Sequence, residues 1–469
     1  MDNKYKRLAK NSFWTLLGNS GSKILGFLLL PLYTRWLGTS GFGESDLITT
    51  YSSFLVCVMT MCVSDAIFAF TKNQDDEKKR VLFSTSLSFI VIVLLLWLLV
   101  WIILDLGFSY FEVKNSFADN IWLIYGVVVT TFLQQYSQQF ILSLEKIKLY
   151  STTGIIHTLL TFAFSFWLIP AIGVRGYILA IIYSNLFTAL YSFFFSRSYS
   201  FLSFKSIESS KIKEVLRYSI PLIPNGIMWW LVSAINRPIM EYNLSYADIG
   251  IFAVANRFPG VITMVFTVFS VALNISVFEE YGKSTFNTFF TTTFKVIFSI
   301  IVVLVSVINV LSIEIIRLFA APEFAEAAKY MPILVLSAFY SCVSSYFGTT
   351  YVVVKQSKYF FYSSLWGAVT ALLLNLVLIP LCGLYGAALS VLFSFVAMSM
   401  TRYYYSLQFA KVNLLPRIFI YSLSLISVAI VAIFVDSFII RLSSLAIPFA
   451  TVFFLDGKFI IKYIKTKND

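Results

Sequence analysis

Apolar residues run along this chain in long uninterrupted blocks, not with the period of an amphipathic helix or an exposed strand. Residues 81–104 hold 24 positions without a charge, and residues 120–144 hold 25. A helix needs roughly 20 apolar residues to cross a bilayer, so each block predicts a membrane span. Seven more blocks are equally plain: 149–174, 176–196, 218–236, 258–278, 296–313, 330–354 and 418–435. Residues 359–401 are 43 uncharged positions, too many for one span, and Pro380, Gly383 and Gly386 break them near the middle. That pattern predicts a helical hairpin with a tight turn. Three further blocks carry a charge: 11–34 with Lys23, 46–70 with Asp65, and 437–454 with Arg441. The pattern thus predicts fourteen spans, nine plain, two from the hairpin and three charged.

The blocks also repeat. Pro170 and Pro380, Gly173 and Gly383, Gly176 and Gly386, and Lys148 and Lys358 are each separated by 210 positions. Near the start, Ser12, Leu37 and Gly43 match Ser219, Leu244 and Gly250 at a separation of 207. Spans 1–6 and 7–12 therefore read as two copies in the same orientation, related by an axis along the membrane normal. The expected fold is an all-α polytopic membrane protein, with two six-helix lobes as parallel repeats in a V-shaped transporter and two extra C-terminal helices. Its expected divisions are residues 1–200, 201–410, and 411–469 with a cytoplasmic tail. Two lobes facing one another enclose a cavity, the plan of alternating-access transporters.

Composition supports the pattern. Hydrophobic residues make up 59%, charged residues 12%, and mean hydropathy is +0.83. Soluble domains carry about 25% charge, so a soluble enzyme and a singly anchored protein are both excluded. The net charge of +12 would suggest nucleic acid in a soluble chain. With the N-terminus placed in the cytoplasm, however, 26 Lys and Arg fall in inner loops and 7 in outer ones. This is the positive-inside bias, and it predicts that both termini are cytoplasmic and that no nucleic acid is bound. The basic stretch from Met1 to Lys10 precedes a long block without an A-x-A-like cleavage site, which predicts an uncleaved first span. Cys57, Cys62, Cys342 and Cys382 lie in apolar blocks without metal or CxxC spacing, so neither a metal site nor a disulfide framework is expected.

Catalytic signatures are missing. The segment from Tyr281 to Thr285 resembles the end of a P-loop, but Val277 stands where the first glycine belongs and no strand precedes it. His157 is the single histidine. No Ser/His/Asp or His/Glu metal constellation exists, so no enzyme activity and no cofactor are expected.

Ionisable groups within a span are costly and point to function. Lys23 lies midway through the first span, 13 residues after Lys10 and 12 before Arg35. Arg257 is nine residues past Asp248, about 13 Å along a helix. One comes from each lobe, and both are read as cations lining the cavity and attracting an anion. The plainer alternative has Lys23 snorkelling or pairing with Asp65. Arg35, Arg237, Asp46 and Glu241 sit at outer helix ends, either as interfacial residues or in an outer gate. Asp65 is the candidate for proton or sodium coupling. His157 reads as a helix-packing histidine before a proton carrier. Asn225, Trp229 and Trp230 in span 7 either belong to an interfacial belt or contact sugars.

Several of these residues fall in longer matching stretches. The stretch Asn11 to Lys23, then Leu28 to Arg35 and Gly41 to Leu47, resembles the opening of bacterial Wzx-type polysaccharide flippases, which serve O-antigen, capsule and exopolysaccharide synthesis. The stretch Ala255 to Phe258 is similar to the span 8 motif of that family and of the related lipid II flippase. These belong to the multidrug/oligosaccharidyl-lipid/polysaccharide exporter superfamily. The resemblance implies an undecaprenyl-pyrophosphate-linked glycan as cargo, moved across the bacterial cytoplasmic (inner) membrane within surrounding lipid. It also implies polysaccharide polymerase and chain-length proteins as partners. A cationic midplane site suits a pyrophosphate. The rival transporter reading is a multidrug or cation antiporter of the same superfamily, and the rival of another class is a polysaccharide polymerase. Short outer loops and the internal repeat disfavour the polymerase.

Overall fold

The computed structural model describes the backbone of residues 2–465 and the side chains of residues 26–457, Phe204 excepted. Among the described residues every element is helical, and the chain divides into two compact units, Met1–Trp230 and Leu231–Asp469.

The first unit holds α1 (Asp2–Met59), α2 (Val63–Thr71), α3 (Asp76–Tyr110), α4 (Ser116–Asp119), α5 (Ile121–Ser143), α6 (Ile147–Phe195), α7 (Ser209–Ser219) and the start of α8 (Leu222–Ala234). Helix α3 shows how sequence becomes element. The Asp75 carboxylate accepts from the Lys78 amide at 2.9 Å, capping an end where Asp76 and Glu77 complement the positive end of the helix dipole. One face of the helix buries Phe83, Ile90 and Trp101, while Ile92, Leu95, Leu96, Leu99 and Ile103 are exposed on the other. Water would not tolerate such a stripe, whereas lipid tails solvate it. Inside the unit, Phe83 lies 4.2 Å from Phe140 between ring centroids, and Tyr136 donates to the Phe83 carbonyl at 2.9 Å.

The second unit holds α9 (Asn236–Asn243), α10 (Tyr246–Ala255), α11 (Pro259–Glu280), α12 (Phe286–Val310), α13 (Ser312–Phe319), α14 (Ala327–Val353), α15 (Lys358–Ser406), α16 (Leu415–Phe434), α17 (Phe438–Ser443) and α18 (Ala446–Lys465). Its centre is α14, whose apolar window is 94% buried against 22% for that of α3. Three tyrosines tie α14 to its neighbours: Tyr346 donates to Phe290 of α12, Tyr351 to the Arg402 carbonyl of α15, and Tyr340 to Ser422 of α16.

Helices α6 and α15 are each 49 residues long, about 73 Å if straight and more than twice the hydrocarbon thickness. Neither is straight. Gly173 (φ 58°, ψ −131°) and Gly383 (φ 57°, ψ −130°) interrupt them with nearly the same left-handed conformation. A Cβ on Gly176 would lie 2.1 Å from the Leu168 carbonyl oxygen, and one on Gly386 1.9 Å from that of Leu378. A residue eight positions back is adjacent only if the chain has reversed. Each long helix is therefore a hairpin, and the matching positions Gly173 and Gly383 share one geometry.

Among the described residues eight helices are long and apolar enough to cross a membrane, or up to ten if each of two bent pairs is one span. The protein is a multi-pass membrane protein.

Candidate functional site

Asp65, Arg237 and Arg257 each lie at a helix break. The first break, Thr60–Cys62, separates α1 from α2 and turns the axis by 51°. Met61 and Cys62 both adopt left-handed backbone there, with φ of 52° and 53°, a conformation that costs an L-residue roughly 1–2 kcal/mol. Asp65 stands exposed in the first turn of α2, where a carboxylate complements the helix dipole. The second break, at Ile235, precedes Arg237 in α9, and the third separates α10 from α11 around Arg257. Interrupted backbone at membrane depth persists only inside protein or beside a water-filled cavity.

In the second unit the two cations differ. Arg237 is buried. Its Nη1 donates to the Ser233 carbonyl at 2.9 Å and to Asn236 Oδ1 at 2.8 Å, and the guanidinium lies 5.1 Å from the Phe252 ring centroid. It is held against the end of α8, its own helix and α10 by hydrogen bonds and a cation–π contact. Glu241 is half-buried and accepts from Tyr246 OH at 3.4 Å. Arg257 is exposed. Its amide donates to Val254 and its carbonyl accepts from Gly260, both at 3.1 Å, while Pro259 opens the 22-residue α11 behind it. A guanidinium at the positive end of a helix attracts anions.

In the first unit Arg35 is exposed three residues before Gly38, where α1 breaks with φ 63°. Asn225 and Trp229 are exposed on α8. Trp230 is turned to α1, with Nε1 donating to the Thr50 carbonyl at 3.2 Å and its ring 4.8 Å from Phe54. His157 is half-buried in α6, and its Nε2 lies 2.9 Å from Asn185 Oδ1. Asn185 in turn donates to Thr131 at 3.0 Å, which leaves Oδ1 to accept from His157. Lys23 lies outside the described residues.

Two buried ionic groups, Arg402 and Asp456, escaped the sequence reading, and a third, Arg441, was read there only as the charge of its span. Arg402 is buried in α15 and donates to Ser363 Oγ, Ser364 Oγ and the Ser344 carbonyl, with the Phe360 ring 5.0 Å away. Arg441 of α17 is buried and grips Glu314 of α13 with two hydrogen bonds, of 2.6 and 3.0 Å. Asp456 of α18 is buried and joined to Arg417 and Tyr421 of α16, and to Ser299 of α12 at 3.2 Å. The last two pairs fasten the C-terminal helices to α12, α13 and α16. Among the described residues no three His, Cys, Asp or Glu side chains converge as metal ligands.

Apolar helices broken at charged residues, in two compact units, define a transporter-type membrane fold. The polysaccharide biosynthesis protein family matches residues 8–274, more than half of the chain, and the chain belongs to that family. Its structure is similar to that of the lipid II flippase MurJ in its inward closed conformation, with TM-score 0.73 at 14% identity over 96% of this chain and 99% of that one. It is also similar to an inward-facing multidrug resistance MATE family transporter of the MOP superfamily (TM-score 0.63, 13% identity, 84% and 97% covered). A MATE protein in complex with MaD3S is a further likeness (TM-score 0.60, 13% identity, 85% and 94% covered). At these identities the likeness is one of fold. No curated protein matched the sequence. The polysaccharide-flippase resemblance read from the N-terminal stretches agrees with the family and with these neighbours, which are transporters or flippases.

Proposed function

We propose that this protein carries an undecaprenyl-pyrophosphate-linked oligosaccharide repeat unit across the bacterial cytoplasmic membrane by alternating access, with no catalytic chemistry of its own. The observation that carries the reading is Arg257, exposed at a break within an apolar run of a polysaccharide biosynthesis protein. A charged group within a span is costly and points to function. A pyrophosphate is an anion that an exposed guanidinium can bind through two parallel hydrogen bonds. In the first unit the proposed cations are Lys23, a point charge, and Arg35, a fork. Arg237 positions α9 against α10, with Glu241 beside it, and Asn225 and Trp229 are offered to the sugars.

Fourteen spans remain the proposed count. Reading α6 and α15 each as two spans, dividing the first bent pair at Gly38 and adding the 23-residue α5 raises ten to fourteen. Asp65 is the proposed carrier of a coupling proton or sodium ion. An active Asp65→Asn protein with unchanged dependence on the ion gradient would reject that role.

The test is a deletion strain in which the lipid-linked unit is located by leaflet. The deletion should trap it on the cytoplasmic side. Arg257→Ala and Lys23→Ala should abolish surface polysaccharide while the protein still inserts, Arg257→Lys should retain part of it, and Arg257→Glu should be worse than alanine. Full complementation by both alanine variants at normal expression would refute the site. A second reading, multidrug export, draws on the MATE likeness. Extrusion of a cationic dye by the purified protein, with the lipid-linked unit normally distributed in the deletion strain, would favour it.

A further inference from the structure

We propose that Cys57 and Cys62 are a modification site: a dithiol that closes to a disulfide across the break between α1 and α2 and fixes that break. In an unbroken helix, side chains five residues apart point about 140° away from each other and cannot meet. Here the left-handed Met61 and Cys62 fold the chain back, and the two Sγ atoms lie 3.4 Å apart. A disulfide bond is about 2.05 Å long, so closure asks the sulfurs to approach by little more than an ångström. Both thiols are free and half-buried. Cys342 is buried and Cys382 is exposed, both far from this pair in the sequence.

The surroundings select the product. A Cβ on Gly226 of α8 would lie 2.7 Å from Cys57 Sγ, and the Ile223 carbonyl is 4.0 Å from the same sulfur. A group added to Cys57 would have to displace α8, whereas a bond to Cys62 adds no atoms. The oxidant class is a small membrane-permeant disulfide. The Cys62 thiolate attacks one reagent sulfur and releases one reagent thiolate. Cys57 then attacks Cys62 Sγ of the mixed disulfide, forming the Cys57–Cys62 bond and releasing the second thiolate. Two protein thiols are oxidised, one reagent disulfide is reduced to two thiols, and the protons pass to the released sulfurs. The closed ring holds Met61 and Cys62 in their left-handed conformation, so the break loses its freedom to open.

This inference does not rest on the cargo, and its test uses no transport assay. The purified full-length protein, with Cys342→Ser and Cys382→Ser, is treated with 4,4′-dithiodipyridine. Closure predicts about two thiopyridones released per chain, no retained pyridyl group, and a linked 57–62 peptide that a phosphine opens. Hydrogen exchange of the amides of residues 60–66 should slow by about tenfold in the oxidised form and recover on reduction. The same linked peptide is sought by mass in the unsubstituted chain, which covers a loss of folding in the variant. Cys62→Ser should show neither link nor slowing. A pyridyl adduct retained on each cysteine would overturn the dithiol. A linked peptide with unchanged exchange would overturn the fixing of the break.

Discussion

Glu314 shows what a single ion pair contributes here. The hydrogen bonds from Arg441 hold its carboxyl below the ordinary value of 4.5. A depressed carboxylate stabilises the folded state above its unfolded value, and that contribution is lost as pH falls through the folded one. Stability measured by thermal unfolding in detergent should therefore decline on acidification below about pH 4.5. Glu314→Gln should flatten that decline and, because the buried Arg441 would lose its counter-charge, cost up to about 3–5 kcal/mol at neutral pH. An unchanged acid profile in the glutamine variant would remove Glu314 from the account. At this scale the sequence was legible only in part. Arg257 stood out because uncharged residues surround it. Arg402 and Asp456 did not, because a charge at the edge of an apolar block reads as the end of a span. Their partners, Ser363, Ser344, Tyr421 and Ser299, lie from 35 to 157 positions away, and no local pattern announces such pairing.

Among the elements, the hairpins were the most readable. Pro380, Gly383 and Gly386 foretold a turn, and the structure adds why Gly386 has no side chain: its Cα faces the Leu378 carbonyl at a distance no Cβ can share. Gly386→Ala and Gly176→Ala should each force the hairpin to open, at a cost of about 1–3 kcal/mol or more, read as a lower melting temperature or loss of folded protein. Gly26→Ala, where a Cβ meets nothing within 4 Å, is the control. Equal melting temperatures for all three variants would contradict the reversal. The break at Thr60–Cys62 was not legible, because it contains neither glycine nor proline. Its left-handed residues are imposed by packing, in which Cys57 sits against Gly226 of α8, and composition cannot report that. The Ile235 break does carry a signal, Pro238, whose ring clashes with the carbonyl four residues back, that of Ala234 at the end of α8.

For the whole molecule, the apolar blocks alone fixed the class. Lipid-facing stripes such as that of α3 need only hydrophobicity, which is local, whereas the grouping into units depends on long-range packing. Orientation rests on the charge asymmetry and is open to reporter fusions. Those after Arg80 and Arg217 should read cytoplasmic and those near Lys114 and Asp248 external. Fusions at Arg80 and Lys114 reporting the same side would invalidate the proposed span count. The two glycine reversals bear on how such a chain can change length. Gly176 must face Leu168, and Gly386 must face Leu378, across a turn of only a few residues. One inserted or deleted residue between them would rotate the second helix by about 100° and bring a side chain against the carbonyl. Both reversals are therefore closed to insertion and deletion, so epitope tags and natural length variation must be accommodated in other connections, such as residues 72–75 and 407–414.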